Sequence, residues 1–189
     1  MNTPAHAVVN LLLLSRRRRP EELAPITAGA VLPDLAMVVF YACQKAAGTA
    51  ERVIWSERYF APAWQSFFDL WNSLPLIAVG LLVARWLGRR RWALLFASMG
   101  LHALEDLPLH HDDAHRHFFP FSDWRFASPI SYWDPARHGG LVTLLEIALV
   151  AVAVPLLLRR HPGRGPRVLV LALAAVYALY FAYVFAVWA

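Results

Sequence analysis

Imidazoles and carboxylates stand in this chain where hydrocarbon would be expected. His6 and Asn10 lie four apart in the apolar stretch 5–14, and Asp34 follows Pro33 inside the run 26–43. His102, Glu105 and Asp106 close the run 92–107, and Glu146 interrupts 141–158. An Asp at the centre of a bilayer costs about 2.5–3.5 kcal/mol on insertion scales, so such residues mark functional sites. One of them alone is equally well explained by a hydrogen bond between helices. A set drawn from four helices points to a shared cation.

The spacing His102-x3-Asp106 puts two ligand types one turn apart on the same helical face, the arrangement by which one helix serves a divalent ion. Pro108 then breaks the helix, freeing His110 and His111 to turn back toward the same ion. Asp112, Asp113, His115 and His117 follow as further potential ligands, and six of the eight histidines fall between 102 and 138. Imidazole mixed with carboxylate suits zinc first, with manganese or iron as alternatives. The lone Cys43 excludes a thiolate metal site and a disulfide framework. Asn10 reads as a packing residue, His161 as a surface one, and His138 and Glu146 are left open.

The elements that must position these residues are membrane helices. Hydrophobic residues make up 59% of the 189 and charged ones 16%, against ~25% charged in an average soluble domain. Apolar runs at 26–43, 74–87, 92–107, 141–158 and 168–189 match the span of about 20 residues a bilayer needs, with flanking aromatics included. The run 5–14 is too short to cross unaided. Its arginines follow the apolar stretch instead of preceding it, so it reads as a retained short helix and not a signal peptide. The expected fold is all-α: one integral-membrane domain over 1–189, a polytopic bundle of about six membrane segments.

The net charge of +5 suggests nucleic acid only until the arginines are located. Twelve of the 18 Lys+Arg fall in three short clusters, Arg16–Arg19, Arg85 with Arg89–Arg91, and Arg159, Arg160, Arg164 and Arg167. Cytoplasmic loops accumulate Lys and Arg. The alternation therefore places both termini and the loops 44–73 and 109–140 on the non-cytoplasmic side of a bacterial inner membrane. Counted from the basic ends at about 1.5 Å per residue, His6, Asp34, His102, Asp106 and Glu146 share a slab from the midplane outward. Trp55, Tyr59, Trp64 and Trp71 in one loop, and Trp124, Tyr132 and Trp133 in the other, suit an interface.

His6, Leu32-Pro33-Asp34, and His102-x3-Asp106 followed by Pro108-Leu109-His110 resemble the bacterial inner-membrane metal-dependent hydrolases and, more distantly, the zinc-dependent phospholipase C group. The resemblance runs through short motifs. It implies a multi-metal site that hydrolyses phosphoesters, with His6, Asp34, His102, Asp106 and His110 as ligands. The step from Asp106 to His110 is shorter than in the phospholipases, and the His-Arg-Gly-x-Thr-His signature of many membrane hydrolases is absent.

The expected activity is hydrolysis of a lipid-like ester, a phosphoester foremost, by metal-activated water. His115 joins the ligand candidates, and Glu105 or Asp113 is a candidate general base. Arg125, in an aromatic segment at 118–135 read as a lid, is placed to meet an anionic headgroup. The expected partner is a lipid or other amphiphile within the membrane. The main alternative is a non-catalytic membrane subunit or metal-binding scaffold. A lipid amidase and a di-iron hydroxylase built on His111-x3-His115 rank below it.

Overall fold

In hydrocarbon every backbone amide must find a partner within its own segment, and runs of Leu, Val and Ala this long do so as helices. The computed structural model describes residues 1–188 and is helical accordingly. The helices are α1 (Thr3–Leu14), α2 (Leu23–Ala46), α3 (Glu51–Val53), α4 (Pro62–Asn72), α5 (Leu74–Trp86), α6 (Arg90–Asp106), α7 (Gly139–Arg160) and α8 (Arg164–Trp188). Among the described residues there is no strand. Four stretches, Pro20–Ala46, Pro62–Trp86, Gly139–Arg160 and Arg164–Ala186, are long and apolar enough to cross a membrane. The last expected run ended at Ala189, which lies outside the described residues.

The short first helix is the axis of the bundle. Apart from Thr3, His6 and Asn10 it is apolar all round, and such a helix belongs in a core. Every residue from Ala5 to Leu11 is buried. Ala5, Val8 and Leu11 pack in one cluster with Ile26 of α2, Val150 and Leu157 of α7, and Val170 of α8. The outer faces are apolar too: Leu82, Leu144, Leu145 and Leu179 are all exposed, as on a surface that meets lipid.

The segment 44–73, expected as an interfacial loop, is largely helical. It comprises α3, a wide turn at Ile54–Arg58, and α4. Its aromatics at 64, 67, 68 and 71 recur at helical spacing and pack inward. Trp64 and Phe68 lie 5.1 and 5.5 Å from the Phe40 ring of α2, edge to face. Ser73 separates α4 from α5 and caps the latter, its Oγ accepting from the Leu76 amide at 3.3 Å.

Contact between α2 and α6 sets the polar interior. A Cβ at Gly29 would collide with the Leu95 carbonyl and the Ser98 side chain, so only glycine permits this backbone approach. Ser98 Oγ donates to the Ile26 carbonyl at 2.6 Å, and Asn10 Nδ2 donates to the Ser98 carbonyl and hydroxyl at 2.9 and 2.8 Å. Basic clusters gather at one end. Arg160 donates to the Leu12 and Ser15 carbonyls closing α1, at 2.5 and 3.2 Å, and Arg90 pairs with Glu22. The imidazoles collect toward the other end.

Candidate metal centre

Ser98, His102 and Asp106 recur every four residues along α6 and form its buried stripe. Pro33 has no N–H to close onto the Gly29 carbonyl, which loosens the α2 ladder at that turn. The next carbonyl, that of Ala30, accepts from His102 Nδ1 at 2.8 Å. Because a carbonyl can only accept, the His102 proton sits on Nδ1 and Nε2 points elsewhere. It faces Asp106 Oδ2 at 3.2 Å and Asp34 Oδ1 at 3.5 Å.

His6 and His110 repeat the pattern. His6 Nδ1 lies 2.6 Å from Glu105 Oε2, and its Nε2 lies 2.9 Å from Asp106 Oδ1. Its ring stacks on that of His102 with centroids 3.8 Å apart. His110 follows the turn Leu107–Leu109, with Nδ1 2.8 Å from Asp113 Oδ2 and Nε2 3.5 Å from Asp106 Oδ2. The His110 Nε2 is buried without a hydrogen-bond partner. Each of three imidazoles thus commits Nδ1 outward to an oxygen acceptor and turns Nε2 on one carboxylate. Such outer acceptors fix the tautomer and orientation of metal-ligating histidines.

A neutral ring protonated on Nδ1 offers only a lone pair at Nε2, which repels a carboxylate oxygen. Either the rings each carry a second proton, crowding positive charge around one buried group, or the three Nε2 lone pairs and the Asp106 carboxylate would together hold a cation. Nitrogen and carboxylate donors without thiolate suit zinc, manganese or iron. His6, His102 and Asp106 already bring ligand atoms within 4.8 Å of one another, and all three are buried. The Met1 ammonium, 2.6 Å from Asp106 Oδ1, adds to the positive charge drawn to this carboxylate.

The other sequence candidates take varied places. Asp34 joins the cluster through His102 and accepts from Thr3 Oγ at 2.5 Å. Glu105 and Asp113 are engaged by His6 and His110, and Asp113 also accepts from Trp133 Nε1 at 3.1 Å and from the His111 amide at 3.2 Å. His111 turns to the Ser128 carbonyl at 2.6 Å, whereas His115 lies 3.5 Å from Asp69, so the two do not share a partner. Arg125 donates to Gln65 Oε1 at 3.0 Å and the Ala114 carbonyl at 2.5 Å, and the residue is nevertheless exposed. Glu146 accepts from the Asn2 amide and side chain at 3.1 and 2.7 Å. His138 precedes α7 in a left-handed conformation, and Asp112 lines a nearby cavity. His161 is buried, not a surface residue, and lies 2.9 Å from Ser15 Oγ.

Several participants escaped the sequence reading. Asp69 is fully buried and takes the Arg116 amide at 2.9 Å and its Nε at 2.5 Å. It was discoverable as the single carboxylate in Phe67-Phe68-Asp69-Leu70-Trp71. Thr3 and the Ala30 carbonyl carried no signal of their own, and Tyr132, whose ring lies 5.1 Å from that of His110, reads from sequence only as an interfacial aromatic. Loop 110–134 is stitched back over the centre: Ser128 Oγ donates to the Pro108 carbonyl at 2.6 Å, and the Tyr132 amide donates to the Leu109 carbonyl at 3.0 Å. A cavity of about 460 Å³ adjoins, walled by Met37, Trp55, Tyr59, Phe60, Trp133 and the carboxylate of Asp113. Buried His117 has neither ring nitrogen hydrogen-bonded, and burial together with the charge of His115 holds its pKa down to about 4.

Outside the spanning helices the electrostatics give a sign. Burial would lower the His110 pKa, but Asp106 and Asp113 outweigh it and raise the value to about 9. The proton and the stability it carries are fully present below about 6.5 and are lost as pH rises through about 9. A cation taking Nε2 must displace that proton. Metal affinity, read by chelator competition, should therefore climb close to tenfold per pH unit up to about pH 9 for one displaced proton. A flat profile would remove His110 from the ligand set.

Comparison of the chain with protein-family models, with curated proteins and with solved structures gave no match.

Proposed function

We propose that this chain is a membrane-embedded, divalent-metal-dependent hydrolase of lipid-like esters. The carrying observation is the convergence of His6, His102 and His110 Nε2 on Asp106, each ring held from behind by a carbonyl or carboxylate. Asp34 completes the proposed ligand set, and zinc is the metal we favour. A cation held there would supply Lewis-acid polarisation and lower the pKa of water. The chain's own contribution is to fix the imidazole tautomers, bury the centre beneath loop 110–134, and offer an aromatic cavity beside Asp113. That cavity suits an amphiphile, and the choice of a phosphoester rests on the resemblance to the membrane hydrolases.

The same reading takes α1, α2, α4 with α5, α6, α7 and α8 as six membrane segments. The basic clusters then face the cytoplasm of a bacterial inner membrane, and the centre faces the other side. A second reading, a metal-binding scaffold without turnover, is favoured by the depth of the centre: Asp106 is 3% exposed and its Oδ1 already meets an ammonium. One experiment separates the two. Detergent-purified full chain is assayed for metal by elemental analysis and then offered phosphatidic acid, phosphatidylglycerol and a lipid amide. Release from the phosphoesters, lost on chelation and restored by zinc, is expected. Near-stoichiometric metal without turnover selects the scaffold, and absence of metal sinks both.

A further inference from the structure

The arginine-bearing end holds a second feature, remote from the metal centre and independent of it. A cavity of about 360 Å³ opens between the C-terminal ends of α1 and α5 and the start of α6, with Arg16, Arg85 and Arg90 around it. Its floor is apolar, made by Leu14, Ala84, Ala93, Leu94 and Ala97. Positions 90, 93, 94 and 97 are the i, i+3, i+4, i+7 set of one helical face, so a single stripe of α6 grades from cation to hydrocarbon.

The charge around this cavity is not balanced from within. Arg90 pairs with Glu22, whose other oxygen accepts from the Arg16 backbone amide at 2.9 Å, so Glu22 is fully engaged. Among the described residues neither the Arg16 nor the Arg85 guanidinium has an ion-pair partner. The first turn of α6 carries no acidic residue, which leaves its helix dipole uncompensated there. Trp86, 84% exposed, follows Arg85 in the chain, and exposed Trp92 follows Arg91, aromatic side chains of the kind enriched at the headgroup level of a bilayer.

We propose that this cavity binds an anionic phospholipid: Arg16 and Arg85 fork onto the phosphodiester, and the first acyl carbons lie on the alanine floor. Guanidinium forks match phosphate oxygens in pairs, and basic pockets between membrane helices select anionic headgroups. A free phosphate ion would satisfy the arginines but leave the apolar floor against water, so the amphiphile is the better occupant.

Native mass spectrometry of the detergent-purified full chain tests this with phosphatidylglycerol and phosphatidylcholine of identical acyl chains. Phosphatidylglycerol should bind at least about tenfold tighter. The double variant Arg16→Gln with Arg85→Gln should fall to the phosphatidylcholine level, and Arg17→Gln with Arg164→Gln, outside the cavity, should not. Equal binding of the two lipids, or equal loss in both double variants, overturns the proposal in favour of diffuse surface attraction. Displacement by inorganic phosphate at the lipid's own concentration overturns it in favour of a phosphate site. Should the first double variant fail to fold, Ala97→Phe decides: it fills the floor and keeps the arginines, and unchanged selectivity would refute the site.

Discussion

Asp106→Asn should strip the protein of divalent metal. The substitution keeps the volume of the side chain and removes the one negative charge on which three imidazoles converge. Removing one partner of a buried charged group costs about 3–5 kcal/mol, a loss of roughly 200- to 5,000-fold in affinity. Elemental analysis of the purified variant should read background, and chelator competition should place its affinity at least about a hundredfold below that of the parent. Helix content by circular dichroism should be retained, because the helices owe their order to apolar packing around α1 and not to this carboxylate. A variant that keeps its metal would show that Asp106 is a partner of protonated histidines and nothing more.

Glu105→Gln distinguishes two roles for the same carboxylate. As a general base, Glu105 would leave metal content intact and cost about 10²–10⁴ in turnover when neutralised. Its Oε2 lies against His6 Nδ1 at 2.6 Å, the position of an orienting acceptor behind a proposed metal ligand. The expected outcome is a fall of about 10–100-fold in metal affinity, with turnover recovered at saturating zinc. Asp113→Asn should behave alike through His110, with a steeper effect above neutral pH, since Asp113 helps hold that ring's proton up to a pKa of about 9. Turnover that stays low in a fully metal-loaded Glu105→Gln protein would return Glu105 to the role of base.

Much of this was written in the residues themselves. His6, Asp34, His102 and Asp106 betray themselves because charge and hydrocarbon are incompatible, and a chain keeps such groups in apolar runs only where something offsets the cost. The all-helical architecture follows with equal directness from apolar runs of bilayer length. Helical depth counting brought these four residues to one level, but level is not contact. Which nitrogen of each ring faces inward depends on the Ala30 carbonyl, Glu105 and Asp113, and partners of that kind are set by packing between helices. The helical character of 62–72 was obscured because Trp, Phe and Pro suit an interface as well as a core. Asp69 went unnoticed with it. The central position of α1 was hidden by its length, since twelve residues too short to cross alone look peripheral until later helices enclose them.

That enclosure governs when the imidazoles can gather around Asp106. The ribosome delivers α1 before the walls that seat it, which belong to helices synthesised well after it: Val150 and Leu157, then Val170. Until these are in place, the His6 imidazole has no fixed address, although its partners on α6 have already been made. A nascent chain therefore completes the cluster around Asp106 only as assembly closes.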